Sequence, residues 1–120
     1  MSLPPVDDTY RIALLQTLAD EFWTPAAGQG GLILQALMQC DWGTVRRQTH
    51  TLKGTAAILG VEHVSLLAAA LEAAAMAPRP NRNRAIDLAA DLSAAMAALR
   101  RSLPPVQPAR TLARPEAIAA

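Results

Sequence analysis

The chain has 120 residues, room for one ordinary domain with one core, so a second independently folded unit is not expected. Hydrophobic residues make up 52% but aromatic ones only 3%, and alanine is the most frequent residue, which suits closely packed helices better than a sheet of aromatic and β-branched side chains. A net charge of +1 lacks the basic excess of a nucleic-acid-binding surface, and a lone cysteine, Cys40, excludes an internal disulfide and is expected as a small core residue.

Residues 1–6, with two prolines, read as a short tail. Asp7 and Asp8 offer N-cap carboxylates to a first helix carrying Ile12, Leu15, Leu18, Ala19 and Phe22. From Trp23 to Gly31 a proline and three glycines predict a connection, and the apolar run Leu32, Ile33, Leu34, Leu37 and Met38 predicts a second helix. Asp41 caps a third, whose Val45, Thr49, Leu52, Ala56 and Leu59 recur in steps of four and three and define one buried stripe ending at Gly60. A fourth helix follows from Val64, Leu67, Leu71 and Ala75 and stops before Pro78. Asn81 or Asn83 starts a fifth, with Ala85, Leu88, Leu92, Ala95 and Leu99 on its inner face and Arg100 and Arg101 in its last turn. Residues 104–120, rich in proline and small or polar side chains, read as a flexible tail or linker outside a domain spanning 7–103. The short connections predict an all-α fold: an antiparallel up-and-down four-helix bundle with the N-terminal helix packed across it. No segment reads as a signal peptide or a membrane span, so a cytoplasmic protein is expected, free or tethered to a larger one.

The chemistry concentrates on the third helix, in His50-Thr51-Leu52-Lys53-Gly54. With Leu52 facing inward, His50, Lys53 and Gly54 share an outer face at spacings of three and four. A mid-helix glycine costs about 1 kcal/mol relative to alanine. Clearance beside the imidazole would justify it, letting another protein bring a phosphoryl group to the ring while Lys53 neutralises the phosphoryl oxygens. The plainer readings are a surface histidine, a solvated lysine and a glycine for close helix packing. Counting outward from Gly60, His50 lies ten residues before the turn and Glu72 twelve after it, about 15 and 18 Å along two antiparallel helices. A Glu72 carboxylate accepting from ring Nδ1 would fix the tautomer and leave Nε2 unprotonated for attack; otherwise Glu72 is an ordinary exposed glutamate.

The segment His50 to Gly60, together with Asp41-Trp42, Phe22 and Leu71-Glu72, resembles the histidine-containing phosphotransfer (HPt) domain, whose signature is His-x-Leu-Lys-Gly followed by small residues and a glycine. The resemblance covers roughly residues 7–102 and implies a phosphocarrier of two-component phosphorelays. In such a domain the Nε2 of His50 would take a phosphoryl group from a receiver-domain aspartyl phosphate and pass it to another receiver aspartate. Lys53 and Gly54 would flank that nitrogen and Glu72 would hold the ring. The implied partners are response-regulator receiver domains and a hybrid sensor histidine kinase, in cis or in trans. No cofactor of its own is expected, magnesium belonging to the receiver, and no nucleotide-binding loop is present, so neither autokinase activity nor any other enzyme activity is expected.

Docking would use apolar surface around His50; Ile12 and Leu15 are candidates for it but read better as core. His63 lacks ligand-like spacing to Cys40, and Arg79, Arg82 and Arg84 read as a solvated cluster. The rival function is a phosphorylation-independent helical adaptor that binds receiver or kinase domains; a hydrolase would need a substrate cleft that an alanine-rich face does not offer.

Overall fold

A computed structural model describes residues 8–24 and 28–104. These form five helices: α1 (Asp8–Trp23), α2 (Gln29–Met38), α3 (Trp42–Ile58), α4 (Glu62–Met76) and α5 (Arg82–Ser102). There is no strand among the described residues. Helices α2 to α5 form a closed ring of neighbours, α2 on α3, α3 on α4, α4 on α5 and α5 back on α2, with the most extensive contact between α3 and α4. Helix α1 packs outside the ring against α2 and α5. The expectations for residues 1–6, for Asp7 as a cap and for the tail beyond Pro104 lie outside the described residues.

One core runs through the bundle. Leu37, Val45, Leu52, Ala56, Ala68, Leu71, Ala85 and Met96 are fully buried, with Leu15, Leu18, Phe22 and Ile33 closing it on the α1 and α2 side. All five stripe positions, Val45, Thr49, Leu52 and Ala56 on α3 and Leu59 just after it, are buried. Thr49, the one polar member, is buried because its hydroxyl donates back to the Val45 carbonyl at 2.8 Å. On α4 and α5 the stripe drifts. Leu67 is half-buried while Ala68 is sealed, and Ala95 and Leu99 are half-buried while Met96 takes the core position. Leu15 is core, whereas Ile12 is only half-buried.

Helix ends follow local chemistry. Asp41 Oδ1 accepts from the Thr44 backbone N–H and Oδ2 from its hydroxyl, and these bonds hold the Asp41 carboxyl below the usual carboxylate range. Asn81, not Asn83, caps α5, accepting from the Arg84 N–H. Helices α2 and α3 close in the same manner. The Asp41 N–H reaches back to the Ala36 carbonyl and the Val61 N–H to that of Ala56, both at 2.8 Å, across a residue of positive φ. In α3 that residue is Gly60 (φ 78°); in α2 it is Cys40 (φ 55°).

Two expectations are corrected here. Cys40 is exposed, not core, because the left-handed residue that ends α2 points its side chain away from the bundle. The connection between α1 and α2 is also shorter than expected, since α2 begins at Gln29 and takes in Gly30 and Gly31. A Cβ on Gly30 would come within 2.8 Å of the Phe22 ring, so this glycine permits a close approach of α1 to α2 and does not break the helix.

Candidate functional site

Helix α3 turns His50, Lys53 and Gly54 outward because its opposite face is committed to the core. The loop of residues 59–61 sends α4 back alongside, bringing Glu72 to the level of His50. Ser65 on α4 donates to the Lys53 carbonyl at 3.1 Å, a further tie between the two helices that neither motif nor periodicity signalled.

The three charged side chains form one chain of contacts. His50 Nδ1 lies 2.7 Å from Glu72 Oε2, and Lys53 Nζ donates to Glu72 Oε1 at 2.6 Å. Contact with Lys53 is the main cause of a Glu72 pKa below the ordinary glutamate value; burial opposes it and the His50 contact adds to it. Glu72 is therefore an ionised, acceptor-only group near neutral pH, and Nδ1 must carry the proton it accepts. In the neutral ring this leaves Nε2 bare. The carboxylate is largely enclosed, its side chain 13% exposed, whereas the imidazole is 68% exposed. The ring is thus held at one nitrogen and open to solvent elsewhere.

Gly54 decides between two readings of its own. A Cβ built there would meet nothing within 4 Å among the described residues, so the glycine does not serve close packing between the helices. Its open side faces outward, as clearance for a visitor would require. Lys53 departs from expectation: its ammonium is bound to Glu72 and does not stand free beside the ring. The sequence reading also passed over Arg46, which joins Arg47, His50, Thr51, Glu72 and Met76 in lining a surface hollow of about 460 Å³. The signal for it was present: Arg46 precedes His50 by four residues, one turn on the same face.

The remaining candidates lie apart. His63 is exposed in the first turn of α4, and Arg79, Arg82 and Arg84 are exposed before and within the first turn of α5, where Arg82 donates to the Met38 carbonyl. A second hollow, about 390 Å³ between α1, α2 and α5, is lined by apolar side chains such as Phe22, Ile33 and Ile86 and, among the described residues, by no ionisable group.

The sequence model of the Hpt domain matches residues 15–102, which contain all of the site just described. The chain belongs to the Hpt family. Searches of curated proteins and of solved structures each gave no match. The helical bundle fits an Hpt domain, and its function is phosphotransfer in two-component phosphorelays, as a phosphocarrier whose partners are receiver domains and kinases. Among the described residues, no helix of this Hpt domain is long and apolar enough to cross a membrane.

Proposed function

We propose that His50 is the phosphoryl acceptor of this Hpt domain, loaded by an aspartyl phosphate on one receiver and unloaded by the aspartate of another. The observation that carries the reading is an exposed imidazole whose Nδ1 is fixed on a carboxylate while Nε2 has no partner among the described residues. The Nε2 lone pair attacks phosphorus, and the bond from phosphorus to the aspartate oxygen breaks, its electron pair leaving with the carboxylate. No proton has to depart first. The ring, phosphorylated on Nε2 and protonated on Nδ1, becomes cationic, and Glu72 is placed to stabilise it. Onward transfer reverses these steps on a second receiver.

Gly54 gives the incoming carboxylate room, and Lys53 secures Glu72. Exposed apolar side chains, Met76 on α4 in the hollow beside His50 and Ile58 and Leu66 further along the same two helices, supply docking surface. Such chemistry asks for positioning and charge neutralisation, so no cofactor of the domain's own enters it, and a divalent cation belongs in the receiver's acidic pocket. Placement in the cytoplasm, free or tethered to a hybrid kinase, follows from the same partners.

The test is incubation with a panel of phosphorylated receivers. Acid-labile label on the wild type and none on His50→Gln is the expected result. Label persisting on His50→Gln overturns the assignment, and binding that survives His50→Ala without any label on the wild type identifies a phosphorylation-independent adaptor instead.

A further inference from the structure

The phosphoryl group that His50 would carry brings about two negative charges, and the cations around the ring are not equally available to meet them. Lys53 is 2.6 Å from Glu72 and spends its charge there. The Arg47 guanidinium folds back toward the start of α3, donating to the Thr44 hydroxyl at 2.9 Å and lying over Gly43, where a Cβ would stand 3.4 Å from it. Arg46 has neither commitment. Its side chain is exposed, makes no hydrogen bond or ion pair among the described residues, and lines the same hollow as His50. An adjoining hollow is lined by Trp42, Gly43, Arg46, Ala75 and Met76, which sets Arg46 on the α4 side of α3, the side that holds Glu72.

We propose that Arg46 binds the phosphoryl oxygens on His50, as a residue in direct contact with the transferred group. The inference rests on His50 being the acceptor. A guanidinium suits the task because it stays charged at any working pH and offers paired N–H groups to two oxygens at once. The division of labour is then simple: Glu72 holds the ring from the Nδ1 side, Lys53 holds Glu72, and Arg46 holds the group arriving at Nε2.

The test needs no identified partner. Phosphoramidate transfers its phosphoryl group to an imidazole and releases ammonia, so the full chain is labelled with it and the His50-dependent signal is taken by difference from His50→Gln. Arg46→Gln is expected to slow labelling by roughly ten- to hundredfold, the scale of one hydrogen bond to a charged group. Arg46→Lys should recover part of the rate, and Arg84→Gln, an equal charge change on α5, should keep it. In the wild type the Nε–H resonance of Arg46 should shift on phosphorylation. Labelling of Arg46→Gln at the wild-type rate, or an Arg46 resonance that does not move, overturns the proposal alone. Absence of His50 label on the wild type overturns it together with the acceptor assignment.

Discussion

The two faces of α3 are built by opposite rules. Toward the bundle, Val45, Thr49, Leu52 and Ala56 have no solvent exposure at all and every polar atom of Thr49 is answered inside the helix. Toward solvent, one or two residues further round the helix, Arg46, His50, Gly54 and Ile58 are all exposed, and among the described residues there is empty space beside Gly54. The inner face is saturated with contacts and fixes the fold. The outer face withholds contacts, and what it withholds is what a partner would need. Stability and activity are therefore expected to respond to different substitutions on the same helix.

The largest effect should come from the inner face. Leu52→Ala removes a fully buried side chain and should lower unfolding free energy by about 2–5 kcal/mol, read by denaturant titration; a loss under about 1 kcal/mol would mean that the inner face is far less tightly packed than its burial indicates. Gly54→Ala sharpens the contrast most, because its two consequences have opposite signs. With space around the position, alanine should stabilise the domain by about 1 kcal/mol through helix propensity, while transfer from a receiver slows. Transfer at the wild-type rate would show that the cleared volume is not used.

Glu72 lies between the two regimes, and its contribution depends on pH. Its folded pKa is depressed, so the stability it adds is present above the unfolded value, about 4.3 for a free glutamate, and is lost as pH falls through the lower folded value. Melting temperatures followed down through the acid range should fall less steeply for Glu72→Gln than for the wild type, by an amount worth less than about 1 kcal/mol. Parallel acid limbs would mean that the contacts to Lys53 and His50 add nothing net. The smallest expected change is at the end of α2. Cys40→Gly relieves left-handed backbone worth roughly 1–2 kcal/mol in a non-glycine residue but gives back roughly half of that as added freedom of the unfolded chain. A rise of a few degrees at most in melting temperature is expected, and a fall would show that the thiol makes a contact of value.

Much of this organisation was legible in the chain. The α3 stripe could be read outright because its steps of four and three follow the helical period, and the level of His50 and Glu72 followed from counting out of Gly60 in both directions. Where the reading slipped, the cause was tertiary. Over the longer α5, nominal spacing drifted from the true seam, so Ala95 and Leu99 were preferred to Met96. Gly30 was read as a breaker because nothing in the local sequence reveals the Phe22 ring pressing on it. Cys40 was judged by its apolar character, whereas the backbone that joins α2 to the Asp41 cap demanded a left-handed residue there. At the site, identity and spacing brought His50, Lys53 and Glu72 together and paired His50 with Glu72, but did not pair Lys53 with Glu72. That Lys53 spends its charge on Glu72 depends on how α4 sits against α3, as does the hollow that brings Arg46 beside His50.

The turn between α2 and α3 carries the chain's sole sulfhydryl, exposed at Cys40. About 12 Å of helix separates Trp42, two residues further on, from His50. Two molecules oxidised to a disulfide in the absence of reductant would therefore be tethered at that bend, leaving both imidazoles unobstructed. The same distance makes the thiol a natural point for attaching a single fluorophore that watches a visitor arrive without standing in its way.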